Sequence, residues 1–442
     1  MQPPIIGDRV RLESHPNARN CAIATLSLLP GSTVVVVPSL ANVLLPLEKG
    51  HRCDFCFQVS DAQRKLRKCT GCASYWYCSV ECQSLQWKNH HRKICKNYSL
   101  FTSSSSFQTL QSHEKLDALL LAHLLAQESV PDPSLPQDNS LAISTFLSLL
   151  PGPQTLDGLK IPLPNLKPAI PPEIASLVYA RFSNNNFAIH SHLTTVGHGI
   201  FPLASRLFNH SCYPNAAPKY LFTPTGVVME VVALRQIRQG EEICIPYLDP
   251  AMLQTRHQIF EFTYGFKCTC SSCVEIETFN IPPPPDDPDE LSAISKYLRA
   301  FVGLEGKLSD LPEKPRGTIP QQLHCVFHET YLSNLSEVFS KASHESQYEL
   351  AIEAGVTLLG AYILIYPPNY PQIGVHLLEL AKTTWNMFVI LETNRLDTAP
   401  ASKENARAFL NMSRNVLMTF GKEGDDGGPL SELETLQSLL ES

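Results

Sequence analysis

The sequence predicts an α+β chain: a β-rich core, interrupted by a cysteine-rich segment and a helical insertion, and followed by an all-helical C-terminal region. Three observations predict it. Eleven of the fourteen cysteines fall in two clusters with metal-like spacing. Runs such as VVVVP at 34–38 and VVMEVVALR at 227–235 are β-branched, as strands are. Beyond IPPPPDDPDE at 281–290, a stiff acidic linker, the chain turns to long apolar-periodic stretches of helical type.

Composition bounds the function classes. At 442 residues the chain has room for two to four domains. Apolar residues at 43% and charged ones at 17% describe a globular protein, neither disordered nor membrane-spanning. No apolar run reaches the roughly 18 to 20 residues of a bilayer span, so no membrane partner is expected. The start, MQPPIIGDRVRLESH, carries charges where a secretory leader needs its apolar stretch. Cytoplasm or nucleus is therefore expected, where structural disulfides are rare and clustered cysteines are a metal question. A net charge of −7 excludes a uniformly basic nucleic-acid binder.

Residues 1–50 alternate extended runs with turns, and LLPGSTVVVVPS reads as a turn into a strand. Residues 51–97 hold the first cysteine cluster: Cys53, Cys56, Cys69, Cys72, Cys78, Cys82 and Cys95, with His90 and His91 just before the last. Zinc takes four soft or borderline ligands in a tetrahedron, and C-x2-C turns present two thiolates to one ion. Cys78 and Cys82 are four apart, as are His91 and Cys95, so each pair can share one helix face. Eight ligands make two closed sites. Closed sites leave no position for substrate, so both are expected to be structural and to stabilise a segment too small to fold alone.

The string CDFCFQVSDAQRKLRKCTGCASYWYCSVECQSLQWKNHHRKIC resembles a MYND zinc finger, with its Tyr77-Cys78, Cys82-Gln83 and Trp87…His…Cys95 elements. In that family the ligands interleave. The resemblance implies one zinc on Cys53, Cys56, Cys78 and Cys82, and another on Cys69, Cys72, His91 and Cys95. One histidine more than the family pattern is present: His90 keeps the spacing from Trp87, and His91 keeps the spacing to Cys95. His91 is taken as the ligand because the helical i, i+4 geometry is the tighter constraint. Residues 51–98 carry nine Lys+Arg against three Asp+Glu, a charge of +6 that leaves −13 on the remainder. Such fingers resemble protein-interaction modules, often for Pro-rich peptides; contact with nucleic-acid phosphate is the weaker reading.

Residues 98–180 read as a helical insertion and linker. FTSSSSF at 101–107 is expected to be a flexible joint, and LDALLLAHLLAQ at 116–127 a helix with a broad apolar face. His123 on that face is expected to be a satisfied core histidine rather than a ligand. The Pro-dotted stretch 151–172 reads as loop.

Residues 181–250 and 251–279 carry the second constellation: FSNNNFAIHS, then FPLASRLFNHSCYPN, GEEICIPYLD and YGFKCTCSSC. C-x-C-x2-C at Cys268, Cys270 and Cys273 supplies three thiolates and needs a fourth ligand. Cys212 is the obvious candidate, clamping segments about 55 residues apart, which gives three zinc ions in all.

These strings are similar to a SET domain with its post-SET zinc, the fold of S-adenosylmethionine-dependent protein lysine methyltransferases; the finger narrows the resemblance to the SET-and-MYND (SMYD-like) subfamily. The resemblance implies a split SET core, with the finger and a helical insertion inside it and a TPR-like helical domain after it. Asn209 and His210 match the motif lining the methyl-donor pocket, largely through backbone contacts. Tyr247 matches the tyrosine beside the transferred methyl, a catalytic and cofactor-side position; Asn185 and Phe266 match further cofactor-site residues. Methyl transfer from a sulfonium to a neutral amine needs positioning and desolvation more than acid–base help. An aromatic channel strips water from lysine and lowers its pKa.

One departure stands out. The family has a Gly-x-Gly turn before a Pro-Gly pair, and Arg19, Asn20 and Cys21 stand at those positions here. Glycines there allow close backbone approach. The alternative is therefore a catalytically weak or inactive SET/MYND interaction adaptor with a transcription-linked role.

Residues 280–442 read as helices at roughly 290–304, 321–341, 345–365, 371–393, 402–420 and 430–441. YPPNYPQIGVHLLELAKTTW resembles the helix-pair repeats that close such proteins. GKEGDDGG at 421–428 reads as a mobile loop. Cys21, Cys244 and Cys325 read as buried or half-buried thiols without a role. The expected partner is a protein substrate presenting a lysine to a monomer.

Overall fold

The computed structural model describes residues 7–15, 18–128, 137–153, 161–167, 169–306 and 309–441. Parts of the Pro-dotted stretch, 154–160 and 168, lie outside them. Its strands are β1 (Val10–Glu13), β2 (Cys21–Ala24), β3 (Thr33–Pro38), β4 (Ala41–Leu44), β5 (Arg67–Lys68), β6 (Trp76–Tyr77), β7 (Asn186–Ser191), β8 (Thr194–Ile200), β9 (Asn209–His210), β10 (Ala216–Thr223), β11 (Gly226–Ala233) and β12 (Cys244–Ile245). They form small sheets: β1-β2, β10-β11-β3, β4-β8-β7, the finger hairpin β5-β6, and a parallel pair β9-β12. Two sheets thus join strands from before residue 50 to strands from after residue 190. The VVVVP run pairs with Val228–Val231 because β-branched side chains fill a sheet buried on one face. Val34, Val37, Met229 and Val231 enclose a core with Phe201, Phe208 and Ile245.

The finger sits against this core through Phe57, fully buried in a left-handed backbone conformation at φ 63°. Its ring lies over β8 at Gly197, where a Cβ would come within 2.4 Å of Val43 O and 2.6 Å of the Phe57 ring. Only glycine permits that approach.

Two segments differ from expectation. FTSSSSF is not a free joint: it spans the helices Tyr98–Thr102 and Ser105–Gln108, the second capped by Ser104 Oγ. Phe101 and Phe107 pack edge to face at 5.0 Å and are both buried, which outweighs the serines' loop preference. Nor is GKEGDDGG a loose loop. Arg52 of the finger reaches both carboxylate oxygens of Asp425 at 2.7 Å. Ser191 Oγ donates to Asp425, and Gly424 N–H donates to Tyr220 O. The segment straps the C-terminal helices onto both the sheet and the finger.

The helix Ser112–Glu128 buries an almost continuous apolar run, with no single polar stripe, because it lies between the finger and β4. Within it His123 Nδ1 donates to Asn42 O at 2.8 Å, and its Nε2 accepts from Tyr75 Oη at 2.7 Å, a satisfied core histidine.

In the C-terminal region Asp287 caps the helix Pro288–Phe301, so the Pro-rich linker itself starts the helix. The stretch expected as one helix at 321–341 divides at His328 into a 3-10 turn (Gln321–Phe327) and the helix Glu329–His344, which His328 caps. Helices Tyr348–Ile365, Pro371–Thr393, Ala399–Phe420 and Pro429–Glu441 follow, each packed on its neighbours in one large apolar core. Tyr348–Ile365 is long and apolar enough by composition to cross a membrane, contrary to the expectation from apolar runs; 61% of it is buried, as the centre of a helical core requires.

Candidate active site and metal centres

Three groups of ligand atoms converge, each with its atoms within 4.8 Å of one another: Cys53, Cys56, Cys78, Cys82; Cys69, Cys72, His91, Cys95; and Cys212, Cys268, Cys270, Cys273. A zinc tetrahedron with Zn–S of about 2.3 Å places its sulfurs about 3.8 Å apart. Cys56–Cys78 at 3.6 Å, Cys78–Cys82 at 3.5 Å, Cys69–Cys95 at 3.7 Å and Cys212–Cys268 at 4.0 Å match that geometry. The donor sets therefore fit zinc.

The extra histidine is accommodated by a π-helical turn, Trp87–His91. A π-turn absorbs one added residue without breaking the helix. His91 Nε2 thereby faces Cys69 at 3.4 Å and Cys72 at 3.6 Å. Burial pulls its imidazole down to about 4, so it is neutral and able to ligate. His90 points the other way and stacks on His123 at 4.2 Å, with neither ring nitrogen bonded.

The third group lies beside an aromatic cluster. Parallel pairing of β9 with β12 sets Asn209 opposite Cys244 and His210 opposite Ile245, which brings the NHSC segment alongside the chain entering Tyr247. His210 Nδ1 accepts the Tyr247 backbone N–H at 3.0 Å, so its Nε2 carries the proton and donates to Cys212 Sγ at 3.1 Å. The His210 ring packs on Phe260 at 4.4 Å and Tyr247 at 5.3 Å. Tyr264 lies 5.0 Å from Tyr247, and Phe266 stacks on Phe260 at 5.1 Å. Tyr247 Oη donates to Phe208 O at 2.7 Å, and burial pushes its phenol well above the ordinary range.

A cavity of about 420 Å³ opens between the strands and the C-terminal helices, walled by Asn185, Tyr247, Tyr264, Tyr370, Gln372 and Glu423 among others. Of the residues read as cofactor-binding, Asn185 and Tyr247 line it; Asn209, His210 and Phe266 stand behind that wall or beside it. Asn185 Nδ2 donates to Arg181 O at 2.7 Å. The Asn209 side chain donates to Asn20 O and Glu242. Arg19 donates to Ser148 O. Neither Arg19, Asn20 nor Cys21 is among the residues with a left-handed φ, so the missing glycines create no backbone strain. Tyr264, Glu423 and Gln372 were not anticipated. Tyr264 lies in the YGFKC string itself, whereas Gln372 and Glu423 reach the cavity only through tertiary packing.

A SET domain family model matches residues 30–248. N-lysine methyltransferase SMYD2 of Bos taurus is 27% identical over 375 residues, covering 76% of this chain and 80% of that protein. Its counterparts in Homo sapiens and Rattus norvegicus are 29% and 30% identical, each covering 57% of this chain and 59% of the relative. The chain is thus similar to the SET-domain N-lysine methyltransferases of the SET-and-MYND type. The strands on either side of the finger then correspond to the two parts of a split SET core, and Cys212 with Cys268, Cys270 and Cys273 is a post-SET-like group that could hold a zinc ion.

Proposed function

We propose that the protein is an S-adenosylmethionine-dependent N-methyltransferase acting on lysine side chains of proteins, histone or non-histone. The observation that carries it is the placement of Tyr247 and Tyr264 in the cavity wall, with His210 and Phe266 packed against Tyr247 beside the cysteine group, in a chain whose relatives are N-lysine methyltransferases.

The residues present fit such a cofactor. Cavities of roughly 300–1,000 Å³ hold ligands of this size, and the buried Ser205 Oγ in its wall has no protein partner. Asn185, the Asn209–His210 backbone and Phe266 would hold the cofactor, which supplies an electrophilic sulfonium methyl. Tyr247 and Tyr264 would exclude water from the incoming lysine, which favours its neutral amine. Tyr247 already donates its hydroxyl hydrogen to Phe208 O, so its oxygen would be left to accept a hydrogen bond from the incoming amine.

The finer readings belong to the same proposal. The finger offers a basic face to Pro-rich peptides, with nucleic-acid phosphate the weaker partner; the protein acts as a monomer in the cytoplasm, the nucleus or both. The second reading is an interaction adaptor, favoured by Arg19-Asn20-Cys21 in place of the Gly-x-Gly turn. Calorimetric titration of zinc-loaded protein with S-adenosylmethionine decides between them. Binding followed by methyl transfer to lysine peptides supports the enzyme; no binding supports the adaptor.

A further inference from the structure

The strap at 421–428 places one carboxylate in the cavity wall. Glu423 lines the cavity and is only 8% exposed. The chain is fixed on both sides of it. Lys219 Nζ donates to Phe420 O at 2.7 Å, Gly424 N–H to Tyr220 O at 2.7 Å, and His192 Nε2 to Asp425 O at 3.0 Å. Gly424 lies so near β7 that a Cβ would come within 2.7 Å of Ser191 Cα, an approach only glycine permits. Glu423 is thus held by its neighbours' bonds and not by a cation of its own.

No cation is hydrogen-bonded to that carboxylate. The Lys219 nitrogen is taken by Phe420 O, with Glu230 at 3.4 Å. His192 Nδ1 stands 3.9 Å from Glu423 Oε1, beyond hydrogen-bonding reach. Burying a carboxylate without a bonded cation is costly. The rest of the wall has the same character. Asp249 adds a second carboxylate, and no lysine or arginine lines the cavity among the described residues. Gln372, at the start of the helix Pro371–Thr393, adds a side-chain oxygen without a hydrogen-bond partner. Tyr220, Tyr370 and Phe420 supply aromatic surface. Acceptors set among aromatic rings suit a guanidinium, whose planar fork bonds a carboxylate and stacks on a ring.

We propose that Glu423 is a specificity residue: its carboxylate, with Gln372 Oε1 in the same wall, receives the guanidinium of an arginine that neighbours the target lysine in the substrate. The proposal rests on the reading of this cavity as a lysine-methylation site. Tyr247 and Tyr264 line the same cavity, so the arginine belongs close to the lysine in the peptide.

The experiment titrates full-length, zinc-loaded protein calorimetrically with lysine peptides carrying one arginine, stepped through the positions on either side of the lysine. Each peptide is paired with its citrulline counterpart, which keeps the shape and loses the charge. Burial raises the Glu423 carboxyl to about 7, so titration at pH 8 starts from the carboxylate. At one register citrulline is expected to weaken binding to wild type about tenfold or more, and to Glu423→Gln by less than about twofold. A citrulline penalty equal in both proteins at every register overturns the proposal, as does a loss in Glu423→Gln shared by all peptides alike, which is what a merely structural role gives. Should Glu423→Gln not fold, Glu423→Asp reads the same contact: withdrawing the carboxylate by one methylene must shrink the penalty, and an unchanged penalty overturns the proposal. Turnover is scored separately on the same peptides. Methylation without arginine preference overturns this proposal alone, whereas preferential binding without methylation upholds the Glu423 contact and overturns the methyl-transfer reading.

Discussion

The Nδ1 atom of His210 accepts the backbone N–H of Tyr247 at 3.0 Å, while the same ring's other nitrogen donates to the zinc ligand Cys212. One imidazole therefore fixes the tyrosine's backbone and neutralises part of a thiolate's charge, so metal occupancy and the tyrosine's placement are mechanically linked. His210→Phe keeps a ring packed against Phe260 and deletes both bonds. A buried polar group left unpaired costs about 1–3 kcal/mol, a factor of roughly 5 to 150. kcat for lysine methylation is expected to fall within that range, with the third zinc more easily chelated; unchanged kcat and zinc retention would show that the ring's packing alone matters.

Tyr247→Phe removes the hydroxyl that donates to Phe208 O. Methyl transfer is expected to drop while S-adenosylmethionine affinity, measured by titration, stays nearly intact. Stability falls by about 1–3 kcal/mol because the Phe208 carbonyl loses its buried partner. Loss of cofactor binding together with activity would instead make the tyrosine a cofactor clamp.

The two adjacent histidines of the finger should behave oppositely. His91→Ala removes the Nε2 that faces Cys69 and Cys72, and zinc content is expected to fall from three ions per chain to two. His90→Phe replaces a buried ring with two unbonded nitrogens by an apolar ring on the same His123 face. Exchanging unsatisfied polar atoms for apolar ones is neutral or stabilising, so its melting temperature should match or exceed wild type with three ions retained. Metal analysis showing the reverse pattern would reassign the ligand to His90.

The zinc clusters were legible because their ligands come in local pairs, and spacing alone sets which helix face or turn each pair shares. Even the added histidine was readable through the distance from His91 to Cys95, although the π-turn that absorbs it was not. The strap at 421–428 was misread for the opposite reason. Its glycines and acids have the composition of a loop, and what orders it is Arg52, 373 residues away. Composition likewise hid the FTSSSSF helices, where two phenylalanines six residues apart outweigh four serines. At Arg19–Cys21 the sequence pattern pointed to a lost backbone conformation, and the backbone there needs none. Local chemistry travels well in a sequence; charge partners across hundreds of residues do not.

The strap also carries a pH dependence. Glu423 is 8% exposed, and burial raises its carboxyl to about 7, with the Lys219 charge and a hydrogen bond from the His192 backbone acting against the rise. Tyr220 lies close enough for the carboxylate to raise its phenol in turn, beyond the effect of burial. The folded protein thus keeps a proton on Glu423 that the unfolded chain releases near its ordinary 4.5. Stability from this group is complete below 4.5 and is lost as pH rises through 7, with a slope no steeper than about 1.4 kcal/mol per pH unit. Glu423→Gln removes the proton exchange but keeps a neutral side chain of the same size. In urea unfolding at pH 5, 6, 7 and 8, wild type should lose stability relative to Glu423→Gln at each step up to neutrality, then run parallel to it. Curves parallel from pH 5 onward would mean that the carboxyl is already ionised behind the strap, with Lys219 and His192 compensating its burial.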